Sequence, residues 1–100
     1  IRSGKTWSNN RISGRMKYIF VDESWEDYLY WQKNDKRMLG KINQLLKDIS
    51  RTPFSGKGKP EPLRYKYKGF WSRRIDGEHR LIYRIKDDEI HIVKCRFHYE

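Results

Sequence analysis

The stretch Phe70–Ile85, FWSRRIDGEHRLIYRI, decides the fold. Asp76-Gly77 is a strong two-residue hairpin signal, so Phe70–Ile75 and Glu78–Ile85 read as antiparallel strands joined by a tight turn. Downstream, Asp87 and Asp88 mark another turn, and Ile90–Tyr99 reads as the last strand. Upstream, Leu63–Lys68 alternates and stops at Gly69, which adds one more strand. Before it, PFSGKGKPEP (53–62) is a loop, because three prolines and two glycines in ten residues suit neither helix nor ladder. Earlier still, Leu39, Ile42, Leu45, Leu46 and Ile49 recur at three and four residues, an apolar helical stripe that ends near Arg51 and Thr52 because Pro53 restricts its predecessor. Ser24 precedes Trp25, Tyr28, Leu29 and Gln32 at helical spacing, with Asp27 three residues on as a capping-box-like acid. Lys17–Val21, β-branched and aromatic, reads as the first strand. The order β-α-α-β-β-β-β predicts an α+β domain with two helices packed on one face of a mostly antiparallel, twisted sheet.

Alternation sorts the strand residues by face. Leu81, Tyr83 and Ile85 share one face and Arg80, Ile82 and Arg84 the other. The last strand separates Val93, Cys95, Phe97 and Tyr99 from Lys94, Arg96 and His98. The helices are expected over the apolar set, leaving a basic face opposite. Trp71, Phe97 and Tyr99 are candidates for stacking on splayed bases, with core packing as the other reading for Trp71 and Phe97.

Charge agrees with a basic face. The chain has 100 residues, the size of one domain, with 23 Lys and Arg against 13 Asp and Glu and a formal net charge of +10. A polyanion, most plausibly nucleic acid, is the implied partner. Asp22–Asp35 is acidic, whereas Arg51–Arg84 carries ten bases against Glu61, Asp76 and Glu78. Fifteen aromatics argue against a disordered basic tail. Residues 1–15 hold Arg2, Lys5, Arg11 and Arg15 without an acid or apolar periodicity. Because Ile1 cannot be a ribosomal start and Met16 precedes the first strand, residues 1–15 read as an added disordered leader and 16–100 as the single domain. A natural basic arm is the other reading.

Cys95 stands alone, which excludes a disulfide framework and fits a reducing compartment. His79, His91 and His98 lack metal-ligand spacing, so neither a metal nor a cofactor is expected. No apolar run approaches the ~20 residues of a membrane helix, and no signal-peptide pattern is present. A cytoplasmic chain without membrane contact is the expectation.

GKGKPEPLRYKYKGFWSRRIDGEHRLIYRI (Gly56–Ile85), with ESWEDYLYWQKNDKR (Glu23–Arg37) and CRFHY (Cys95–Tyr99), resembles the YoeB (Txe) branch of the RelE/ParE toxin superfamily over essentially all of residues 16–100. The resemblance implies a RelE-like fold and a type II toxin that cuts mRNA in the A site of the 70S ribosome. It implies a YefM/Phd-type antitoxin as partner, and a toxin homodimer is a further candidate assembly. Carried over by position, Glu61 matches the general base and His98 the general acid. Arg80 matches the transition-state arginine, and Tyr99 a terminal aromatic needed for activity. Arg74 and Arg64 match supporting basic positions, and Lys57, Lys59 and Arg73 complete the expected RNA-binding set.

Metal-independent RNA cleavage by the neighbouring 2′-hydroxyl needs a base, an acid and a cation for the phosphorane, roles that suit a carboxylate, an imidazole and a guanidinium. Glu61 is the informative residue, since it lies between Pro60 and Pro62 in an otherwise basic stretch. Two other readings stay open. One is a basic sheet that grips RNA or the ribosome without cutting, for which a carboxylate in the groove has no use. The other is a ParE-like gyrase inhibitor, a branch that generally lacks the Glu, Arg and terminal His constellation.

Overall fold

The computed structural model describes residues 16–98, so the expectations for residues 1–15 and for Tyr99 lie outside the described residues. Strand β1 (Lys17–Phe20) leads into helices α1 (Asp22–Asn34) and α2 (Lys36–Arg51). Strands β2 (Glu61–Pro62), β3 (Trp71–Arg74), β4 (Arg80–Lys86) and β5 (Glu89–Lys94) follow. The sheet order is β1-β5-β4-β3-β2. β1 runs parallel to β5 and the other pairings are antiparallel, so the α+β arrangement holds with a mixed, mostly antiparallel sheet. No helix among the described residues is long and apolar enough to cross a membrane.

The apolar stripe of α2 does what its spacing predicts. Ile42, Leu45, Leu46 and Ile49 are buried, with Met38 beside them and Leu39 only half-buried at the edge, and they join Trp31 of α1 with Leu81, Tyr83, Ile90 and Ile92 of the sheet. Asp35 caps the helix by accepting hydrogen bonds from the amides of Arg37 and Met38, and the helix stops at Thr52, ahead of Pro53. Burying one such aliphatic side chain contributes about 1.5–3 kcal/mol, so this stripe is the main cement between helix and sheet.

The Asp76-Gly77 hairpin forms, but its loop has three residues, not two: Arg74 pairs with Arg80 and the Ile75 amide donates to His79 O, leaving Asp76, Gly77 and Glu78 between the strands, with Asp76 Oδ1 taking the Glu78 and His79 amides. Three further local expectations change. First, α1 begins at Asp22, which places Ser24 inside its first turn, where its Oγ accepts the Val21 amide at 3.0 Å. Asp27 is not a cap; it accepts the Cys95 amide at 3.0 Å. Second, Leu63–Lys68 is not a strand. Pro60 and Pro62 have no N–H to give a ladder, so pairing is confined to Glu61–Pro62 opposite Trp71 and Ser72. The Leu63 amide adds one bond to Phe70 O, and Tyr65–Tyr67 then coil into a single 3-10 turn. Third, the last strand stops at Lys94 and is bulged. Tyr83 faces Ile92 and Ile82 faces Lys94, leaving Val93 as the extra residue. Ile90 and Ile92 therefore point to the core, and the slip returns Cys95 to the core as well. Val93 is only half-buried and Phe97 is 51% exposed, so neither belongs to the inward set.

Candidate active site

Register places the candidate residues. Residues paired across a sheet share a face, and Glu61 pairs with Ser72, which pairs on its other side with Ile82. Arg74 pairs with Arg80 two residues along the same strands. Because Leu81 and Tyr83 point to the helices, Glu61, Arg74, Arg80 and Arg84 emerge on the opposite face. Two strand spacings, about 10 Å, separate the backbone at Glu61 from β4, a gap that a carboxylate and a guanidinium can reach into from either side. Ser72 and Ile82, on this same face by register, are buried outside the main core, as is Leu63.

Arg80 is half-buried, and its Nη1 donates to Asp76 O at 2.9 Å and His79 O at 3.1 Å, which aims the guanidinium. Asp76 braces the same turn: its Oδ1 accepts the amides of Glu78 and His79. Burial pushes the Asp76 carboxyl up, but the His79 and Glu78 amide donors together with nearby positive charge hold the group below its ordinary range. His98 is exposed, and its predecessor is fixed on both sides: Phe97 O accepts the Arg80 amide at 3.0 Å and the Phe97 amide donates to His79 Nδ1 at 2.7 Å. His98 therefore starts one residue from the backbone of Arg80. Arg96 does not join the basic face; its guanidinium lies 3.4 Å from the Tyr30 ring centre and 4.4 Å from that of Phe97, folded back over α1.

The loop before Glu61 is tied to the core. The Arg74 amide donates to Gly58 O at 2.7 Å. Gly58 has φ +81°, and a Cβ there would meet Arg74 O and Leu45 Cδ2 at 3.0 Å, so only glycine permits this approach. Lys57 and Lys59 flank it with exposed side chains, and Arg64 is exposed beside Glu61. Glu61, Pro62, Leu63, Arg64, Tyr65, Lys66 and Tyr67 line a shallow groove of about 470 Å³.

Arg73 is a correction. It faces the helices with Leu81, is 0% exposed, and is fully engaged: Nη1 with Asp48 Oδ2 and Lys57 O, Nη2 with Thr52 O and Ser55 O, and Nε with the Tyr83 hydroxyl. It holds the loop and does not meet solvent. Trp71 is half-buried against Phe54, at 4.8 Å between ring centres, so packing is its role.

Two residues escaped the sequence reading. Tyr65 is 90% exposed with φ +57°, an uncommon conformation for a bulky side chain, on the rim of the groove that begins at Glu61. No sequence signal marked it. His79 is buried, and its place immediately before Arg80 was the available signal. Among the described residues, no three His, Cys, Asp or Glu side chains come together as a metal site.

The profile of the YoeB-like toxin of bacterial type II toxin–antitoxin systems matches residues 20–99. The chain belongs to this family. Toxin YoeB of Escherichia coli strain K12 is 62% identical over 84 residues, 84% of this chain and all of that protein. The YoeB/ParE toxin structure from Agrobacterium tumefaciens, 49% identical, superposes with a TM-score of 0.83 over 84% of this chain and all of that one. YoeB of Staphylococcus aureus has been solved as a dimer, 48% identical with TM-score 0.80, and in a heterotetrameric YoeB–YefM complex, 48% identical with TM-score 0.79; each covers 85% of this chain and 99% of that one. As a YoeB-like chain, this protein is the toxin of a toxin–antitoxin system.

Proposed function

We propose that the protein is a ribosome-dependent mRNA endonuclease that cleaves in the A site without a metal and so stops translation. The observation that carries this reading is the exposed carboxylate of Glu61 on the sheet face that carries Arg74, Arg80 and Arg84, with the His98 segment tied to the backbone of Arg80. Glu61 takes the proton of the 2′-hydroxyl as its oxygen attacks phosphorus. Arg80 supports the phosphorane through charge-assisted hydrogen bonds. His98 gives a proton to the departing 5′-oxygen, leaving a 2′,3′-cyclic phosphate and a 5′-hydroxyl. Tyr99 is assigned a supporting role next to His98. Arg74, Arg64, Lys57 and Lys59 contact phosphates of mRNA and rRNA, and Tyr65 stacks on a base along the groove. Arg73 takes no direct part.

The antitoxin partner is a YefM/Phd-type protein, by analogy with the S. aureus complex, and the free toxin forms a homodimer, by analogy with the S. aureus dimer; the acidic complement to the basic face is assigned to the antitoxin. A positioned acid or base supplies about 10²–10⁴ in rate, so Glu61→Ala, Arg80→Ala and His98→Ala each remove A-site cleavage from a folded domain. Mapping cut sites and end chemistry on ribosome-bound message tests the scheme. A cyclic phosphate, or the 3′-phosphate formed from it, is the expected end. Wild-type cutting by His98→Ala, or arrested synthesis on intact message, overturns it.

A further inference from the structure

Past Lys94 the ladder between β4 and β5 ends, and residues 95–97 are held by side chains from other elements together with one backbone bond, from the Arg80 amide to Phe97 O at 3.0 Å. The Cys95 amide donates to Asp27 Oδ2 at 3.0 Å and Cys95 O accepts from Trp31 Nε1 at 2.8 Å. The Phe97 amide donates to His79 Nδ1 at 2.7 Å. Phe97 has φ +64°, a left-handed conformation that costs a bulky residue energy and persists only where surrounding contacts determine it. His79 supplies one of those contacts from a rigid seat: it is 9% exposed, with its ring edge-on to Trp31 at 4.8 Å and tilted against Phe97 at 5.8 Å. An imidazole that accepts at Nδ1 is the neutral tautomer with its proton on Nε2, the nitrogen that faces Glu78 Oε1 at 3.6 Å.

We propose that His79 is a positioning residue for the C-terminal end of the site: by holding the Phe97 amide, its Nδ1 fixes the left-handed turn that presents His98 beside Arg80. The proposal rests on the reading of His98 as proton donor. Without an acceptor the Phe97 amide turns toward water, φ relaxes toward ordinary values, and His98 swings about the bond that remains between the Arg80 amide and Phe97 O. The loss falls on kcat and leaves KM in place, because the proton is transferred only in the transition state. A displacement of 1 Å at a reacting group costs about 10²-fold.

The test combines a spectroscopic signature with a rescue. In the folded wild-type protein, ¹⁵N NMR shows a coupling across the hydrogen bond between the Phe97 amide nitrogen and His79 Nδ1. His79→Leu keeps apolar bulk and removes the acceptor; it exchanges the Phe97 amide faster and loses kcat by about 10²-fold at unchanged KM. His79→Asn places Oδ1 where Nδ1 was and restores both Phe97 protection and most of the lost kcat. An absent coupling overturns the proposal, as does a folded Asn variant that protects Phe97 yet cuts no better than Leu. If the Leu variant does not melt cooperatively, the wild-type coupling and the Asn variant decide. Full cleavage by His98→Ala removes the reading of the site, whereas full cleavage by His79→Leu with none by His98→Ala removes the His79 proposal alone.

Discussion

Replacing Arg73 with lysine keeps the charge and tests whether this arginine holds the fold. The guanidinium serves five acceptors: Asp48, the carbonyls of Thr52, Ser55 and Lys57, and the Tyr83 hydroxyl. An ammonium has three donors at one point, so at least two of these five bonds are lost. Hydrogen bonds to a charged group contribute about 1.5–3 kcal/mol each, which sets the cost near 3–6 kcal/mol. In a domain of 60–100 residues, 1 kcal/mol moves Tm by about 4–8 °C, so the smallest consistent drop is roughly 12 °C. The neighbouring Arg74→Lys, on the exposed face, should stay within about 0.5 kcal/mol of wild type. Thermal melts of the two variants side by side give the answer. An Arg73→Lys protein melting within about 3 °C of wild type, well under 1 kcal/mol, would refute the assignment of Arg73 to the interior network.

Cys95 is buried, and burial first, then the Asp27 charge, pushes its thiol up to about 12. Iodoacetamide at pH 8 should therefore leave it unmodified in the native protein and alkylate it in urea; native-state labelling at the rate of a free thiol contradicts this. Asp48 is held below the usual carboxylate range by the Lys57 amide first and by Arg73, against a smaller opposing effect of burial. The stability it supplies is whole above the unfolded value of about 3.9 and disappears as pH falls through the lower folded value. Urea midpoints taken from pH 5 downward should fall more steeply for wild type than for Asp48→Asn, and parallel curves would disprove the linkage. Base stacking on an aromatic contributes about 1–3 kcal/mol, so Tyr65→Ala should raise KM for ribosome-bound message roughly 5- to 150-fold without lowering Tm. An unchanged KM removes Tyr65 from the substrate groove.

The parts that were legible in the sequence are those where one periodicity dominates. The α2 stripe and the presence of a hairpin at Asp76-Gly77 stood out because their patterns have no competitor, although the loop takes Glu78 as a third residue, and alternation placed Leu81 and Tyr83 inward with Arg80 and Arg84 outward. In β5 two alternations coexist, Ile90 with Ile92 and Val93 with Cys95, and a single parity cannot satisfy both. The bulge at Val93 resolves the conflict by letting Ile92 and Cys95 reach the same core, so a change of parity within one apolar run is itself the mark of a bulge. Arg73 was misplaced for a different reason. Its parity runs with Trp71 and Ile75, toward the helices, but its charge argued for the surface. Asp48, Tyr83 and the loop carbonyls settle that contest, and they are assembled only by folding, from α2, β4 and the 52–57 loop. Net charge therefore overstates the positive charge the surface presents. One of the cations counted toward the basic face is spent inside, fastening the loop that leads to Glu61, and substitutions at Arg73 and Arg74 should separate into a change of Tm and a change of substrate binding.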